Sequence, residues 1–152
     1  MHPLAHALAG GLVGQVAASP GVALLGGLAS HLLLDRIPHT EGDTFRNAPA
    51  TALGIEHLEA VVELSVAIMA LWWAATRCPG VDPLPLVLGA LGGLLPDMVD
   101  VPLHLLFGRT ILHREAWHRT AARRRAAFGI VTQILTILGA GFGLWLAAGC
   151  GR

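Results

Sequence analysis

The chain has no lysine, no tyrosine and little charge of any kind: charged residues fill only 13% of its 152 positions. That is too little polar surface to keep a domain of this size in water. With 54% hydrophobic residues and a mean hydropathy of +0.63, the bilayer is the expected solvent. Because lysine is missing, every one of the ten basic residues is an arginine, and ten acids cancel them. A zero net charge gives no global basic field, which excludes nucleic acid as the expected partner and leaves membrane lipids. The first apolar run, ending at Ala17-Ala18-Ser19, lacks a basic leader and is broken by Gly10, Gly11 and Gly14. It reads as a retained helix and not as a cleaved signal.

Proline and glycine punctuate the remaining apolar sequence into segments over about 3–18, 21–36, 50–76, 83–107 and 115–148. The breaks fall at Ser19-Pro20-Gly21, Ile37-Pro38, Cys78-Pro79-Gly80 and the polar stretches 40–47 and 108–125. Each segment is near the ~17–25 residues of a bilayer span. The expected fold is all-α, a polytopic membrane helical bundle of about four to five segments in a single domain, 1–152. The first two segments are short, so a tilted or re-entrant hairpin is an alternative. Pro96 and Pro102 are expected to bend the end of the fourth. Glycines at 10/14, 26/27, 89/92/93 and 139/143 are read as close-packing positions.

Arginine gives the orientation. Arg36 and Arg46 follow the second segment, and Arg109, Arg114, Arg119, Arg123, Arg124 and Arg125 lie between the fourth and fifth. Only Arg77 and Arg152 fall on the other side. The positive-inside rule predicts a multi-pass protein of the cytoplasmic (inner) membrane with its N-terminus inside. Cys78 and Cys150 then share the external face, where they either form a disulfide or stay as two inert thiols.

The same topology collects nearly all the imidazoles and many carboxylates at the cytoplasmic ends of the helices. His31-Leu-Leu-Leu-Asp35 puts two ligand-type side chains one turn apart on one helical face, as a single ion requires. A simple His–Asp hydrogen bond is the plainer alternative. His6 stands one turn inside an apolar helix, where an ionisable group is costly without a partner. His2, with the same i, i+4 relation to it, reads as a bystander, and His39 as a residue able to fold back over the same place. Asp97, Asp100 and His104 follow Pro96 at i, i+3, i+7 spacing, again one face. His113-Arg114-Glu-Ala-Trp-His118 reads as one more ligand, His113, with His118 as acid or base and Arg114 to hold an anionic oxygen. The expected metal set is therefore His6, His31, Asp35, Asp97, Asp100, His104 and His113, with His118 and Arg114 as catalytic groups. Mixed imidazole and carboxylate donors favour Zn²⁺, with Mn²⁺ or Fe²⁺ as alternatives.

Glu56, Glu59 and Glu63 share a face of the third segment beside His57, and Glu63 lies deepest. It needs a partner inside the bundle, either a ligand histidine or a structural cation. Gln15 and Gln133 read as interhelical hydrogen-bonding residues. Ala23–His31 also aligns without gaps with Gly89–Asp97, which suggests that the second and fourth segments are equivalent.

Ser30-His31-Leu-Leu-Leu-Asp35, Leu94-Leu95-Pro96-Asp97, His113-Arg114…His118 and Ala5-His6-Ala-Leu-Ala-Gly10 together resemble the inner-membrane metal-dependent hydrolases of the YdjM type. The resemblance implies a small α-helical membrane protein, a divalent metal and hydrolase chemistry. The chain departs from that group in its Asp97-Met-Val-Asp100 sequence, in the Trp117 and Arg119 that flank His118, and in placing His31/Asp35 before the Pro96-Asp97 element. The expected function is a metal-dependent hydrolase at the cytoplasmic membrane face, acting on a lipid or other phosphoester. Two rivals remain: a metal or proton transport protein, and a non-enzymatic scaffold. The nearly apolar external half offers a transported ion no visible exit.

Overall fold

A computed structural model describes residues 2–39, 55–108, 111 and 126–150. Proline starts three of its helices at the position where a missing N–H is harmless. They are α1 (Pro3–Val16), α2 (Pro20–Leu34) and α4 (Pro83–Phe107), with α3 (Ile55–Arg77) and α5 (Ala126–Ala147) completing the order. No strand occurs among the described residues. The fold is all-helical, as the apolar segments predict. The stretches 50–54 and 115–125, expected to begin the third and fifth segments, lie outside the described residues. The α1–α2 turn is fixed locally: Ser19 Oγ accepts from Val22 N at 3.3 Å, capping α2 ahead of Pro20.

The helices alternate in direction. The N-termini of α1, α3 and α5 meet the C-termini of α2 and α4 at one end, called the histidine end below. At the other end Gln15 Nε2 donates to the Gly80 carbonyl at 2.8 Å, and Gly80 N donates to the Ala148 carbonyl at 3.1 Å. Cys78 and Cys150 form a disulfide there, so the bridge is found and the free-thiol alternative is not. Closing a loop of this length, across a sequence separation of 72, stabilises a chain by about 4 kcal/mol on entropic grounds. Alkylation of the unreduced protein is expected to label neither cysteine. Full labelling of both would overturn the bridge.

α1 is the central helix, packed against the other four, and α4 packs against both α1 and α2. Small residues make this possible. A Cβ on Gly89 would overlap the Gly10 carbonyl oxygen and lie 2.6 Å from Gly14 Cα. On Gly93 it would overlap the His6 carbonyl oxygen and lie 3.3 Å from Gly10 Cα. The backbones therefore touch, as in small-residue membrane seams. Gly139 departs from its expected packing role, since no atom lies within 4 Å of an added Cβ. It faces outward from a peripheral helix, whereas Gly143 meets Leu12.

Three spans are long and apolar enough to cross a membrane: Leu58–Arg77, Pro83–Leu103 and Phe128–Ala147. Half of the α4 span is buried (50%) against 11% of the α3 span and 17% of the α5 span, which makes α3 and α5 the lipid-facing walls. Their outer faces carry exposed Val62, Ile68, Met69, Trp72, Leu135, Leu138 and Phe142. An apolar surface of that extent fits lipid and not water. α1 and α2 are shorter, with 14 and 15 residues. They form a helical hairpin that reaches the disulfide end but stops short of the opposite ends of α3 and α4.

Candidate metal centre

The interhelical seam brings His6 of α1 to His31 and Asp35 of α2. His31 and Asp35 are one turn apart, and Asp35 serves as the C-cap of α2 with its N–H donating to the His31 carbonyl at 3.0 Å. One carboxylate meets both imidazoles. His6 Nε2 is 3.1 Å from Asp35 Oδ1, and His31 Nε2 is 3.0 Å from Oδ2. The two rings stack, with centroids 3.8 Å apart and planes inclined by 21°. All three side chains are buried, and a ligand atom from each lies within 4.8 Å of the others.

The fourth contact decides the chemistry of His31. Its Nδ1 is 2.6 Å from the Gly93 carbonyl oxygen, a group that only accepts. Nδ1 therefore carries a hydrogen, which leaves Nε2 facing Asp35 as the atom that either donates to the carboxylate or binds a metal. At 3.0 Å the two atoms share either a proton on Nε2 or a metal ion between them. His6 poses the same choice. Its Nε2 faces the same carboxylate at 3.1 Å, while its Nδ1 has no hydrogen-bond partner among the described residues. Two protons would also place two imidazolium charges in rings stacked 3.8 Å apart. One divalent ion would meet a ligand atom of all three residues at once. The 3.1 Å and 3.0 Å approaches to the two Asp35 oxygens suit donors around a common ion as well as hydrogen bonds.

The other residues of the expected set take different places. Asp97 is half-buried on α4, one turn beyond Gly93. Asp100 is buried, and its Oδ1 accepts from Ile111 N at 2.8 Å, so at least one oxygen serves the backbone after α4. The side chain of His104 lies outside the described residues, as do His113, Arg114 and His118. His39 is buried with Nδ1 donating to the Ile37 carbonyl at 2.7 Å. Thr132 Oγ1 donates to the Pro38 carbonyl at 2.6 Å and holds that segment against α5. Pro96 and Pro102 both lie within continuous α4.

His2 and Glu63 form a separate pair. His2 Nδ1 lies 2.5 Å from Glu63 Oε1, and Leu4 N donates to Oε2 at 3.4 Å. Glu63 thus caps the start of α1 from α3, where a negative charge is favourable. His2 is a structural partner here and not a bystander; its tertiary contact leaves no local pattern in the sequence. Gln15 finds its partner in the loop after α3, and not in another helix. Glu63→Ala is expected to lower stability by about 1–3 kcal/mol, since it strands Leu4 N. Thermal unfolding in detergent measures this, and the metal content of the folded protein is expected to stay unchanged.

The Gly93 carbonyl is the functional group that sequence reasoning missed. Its signal was available in the i, i+4 pair Gly89 and Gly93, which marks where a neighbouring backbone or ring comes close. No protein family, curated protein or solved structure matches the chain.

Proposed function

We infer that the protein is a metal-dependent hydrolase of the membrane, with His6, His31 and Asp35 holding one divalent ion. The observation that carries this reading is the single buried carboxylate facing two stacked imidazoles, one of them locked by Gly93 in the tautomer a metal requires. Two histidines and one carboxylate leave coordination positions open, which suits catalytic Zn²⁺ and also Fe²⁺ or Mn²⁺. When bound, such an ion lowers the pKa of a coordinated water to about 7 and polarises a carbonyl or phosphoryl oxygen.

The chain's own residues supply the rest. Asp35 orients both rings, and the Gly93 carbonyl fixes the His31 proton away from the ion. Asp97, on the same face of α4 as Gly93, is the candidate general base, with His118 as the alternative and Arg114 as the anion-holding group. Asp100, His104 and His113 are kept as candidate outer ligands on the strength of their spacing. A lipid or other phosphoester is the substrate class the sequence suggests, and the YdjM-type hydrolases remain the family it resembles. Arginine distribution supports a cytoplasmic histidine end. The Cys78–Cys150 bridge, which needs an oxidising compartment, supports an external position for the opposite end.

The reading is tested by elemental analysis of purified wild-type protein beside His31→Ala and Asp97→Ala. About one equivalent of metal is expected in wild type, none in His31→Ala, and a retained ion in Asp97→Ala. Wild-type protein without stoichiometric metal would sink it.

A further inference from the structure

Three helices converge on the centre through their backbones. A Cβ on Gly93 of α4 would overlap the His6 carbonyl oxygen of α1, and the Gly93 carbonyl itself accepts from His31 Nδ1 of α2. One residue therefore touches both ligand-bearing helices at their ligands. The contact continues away from the site on two flanks. A Cβ on Gly14 of α1 would overlap the Pro85 carbonyl oxygen and lie 3.0 Å from Gly89 Cα. A Cβ on Gly92 would overlap the Leu24 carbonyl oxygen of α2 and lie 3.0 Å from Leu28 N. Backbone cannot swing aside as a side chain does, so a gap opens between these helices only when they part. Inside the contact His6, His31 and Asp35 are 0%, 1% and 4% exposed.

A ligand shifts a conformational equilibrium only by its difference in affinity for the two states. With α1 and α2 apart, His6 is separated from His31 and Asp35, and an ion keeps at most the two ligands of one helix. With both closed on α4, one ligand atom from each residue lies within 4.8 Å of the others. Closure also strips water from the Asp35 carboxylate, a cost that an opposing charge offsets. We propose that the ion locks the bundle: metal capture and closure of α1, α2 and α4 are one linked equilibrium, and the ion enters and leaves only when these helices part. The proposal rests on the metal assignment in the hydrolase reading and is independent of hydrolysis. Linkage is reciprocal, so whatever loosens the glycine contact weakens metal binding by the same factor by which metal loss loosens the contact. An ion present at about 100 times its dissociation constant for the closed form raises the ratio of closed to open protein about 100-fold. Metal supply thus governs whether the histidine end holds together, while the disulfide ties Cys78 to Cys150 at the opposite end.

The rate of zinc release separates a lock from an accessible site. Purified protein is loaded with zinc in detergent, excess EDTA is added at a range of concentrations, and the freed zinc is followed. In wild type the rate is expected to be the same at every EDTA concentration, because helix opening limits it. It is also expected to rise with urea below the unfolding midpoint, since opening exposes surface. A rate that climbs in proportion to EDTA, or one indifferent to urea, overturns the lock. Gly14→Ala and Gly92→Ala loosen the contact from its two flanks without touching a ligand side chain. Each is expected to release zinc at least ~10-fold faster than wild type. Gly139→Ala, whose Cβ meets open space, is expected to release it at the wild-type rate. Circular dichroism confirms that the variants fold, and the wild-type measurements decide the matter where neither does. Wild-type release from a folded Gly14→Ala or Gly92→Ala protein overturns the linkage and leaves the hydrolase reading standing. A protein that takes up no zinc overturns both.

Discussion

Asp35→Asn is expected to empty the centre of metal and to lower hydrolysis by about 10³-fold, while the protein still folds. The amide keeps the shape of the carboxylate but removes the charge that faces both His6 Nε2 at 3.1 Å and His31 Nε2 at 3.0 Å. The size follows from the ion's contribution. Lewis-acid stabilisation of a developing anion is worth several kcal/mol, and ~4 kcal/mol corresponds to about three powers of ten in rate. Asparagine is a better probe than His31→Ala, because truncating His31 also leaves the buried Gly93 carbonyl without its donor. That second loss costs about 1–3 kcal/mol of stability and mixes folding with chemistry. Metal content by elemental analysis, turnover and thermal unfolding are measured together. Metal retained at wild-type stoichiometry in a folded Asp35→Asn protein would contradict the assignment of this carboxylate.

Gly89→Val is expected to be more damaging to the fold than any change in the centre. The new side chain would enter the Gly10 carbonyl and the backbone at Gly14. Rotamer adjustment cannot relieve a clash with backbone, so α1 and α4 must separate. Overpacking usually costs about 1–3 kcal/mol where side chains are able to yield, and a backbone seam places Gly89→Val at about 3 kcal/mol or more. Gly139→Ala is the matched control, since its Cβ meets open space. It is expected to be neutral or to stabilise α5 by up to about 1 kcal/mol through helix propensity. Denaturant titration in detergent compares the pair. Equal stability for the two variants would show that the seam is looser than the structure has it.

Local signals carried much of this architecture. Pro3, Pro20 and Pro83 mark helix starts through their missing N–H, and the i, i+4 spacing of His31 and Asp35 already joins two members of the cluster. The addition of His6 is tertiary: it depends on α1 and α2 being drawn together against α4 by glycine. The roles of His2 and Glu63 arise in the same way, from contacts across 61 residues of chain.

The glycine seam also bears on how the protein is made. α1 and α2 are translated before α4, yet each is shorter than a full span and carries close-approach glycine backbone at Gly10, Gly14 and Gly27 that α4 covers. Pro83–Gly93 is synthesised nearly fifty residues after the end of α2. Until then the hairpin has no partner for its glycine face and too little apolar length to hold itself across lipid. Membrane insertion of the N-terminal third is thus contingent on sequence still to be translated, and the first two helices settle only when the fourth arrives.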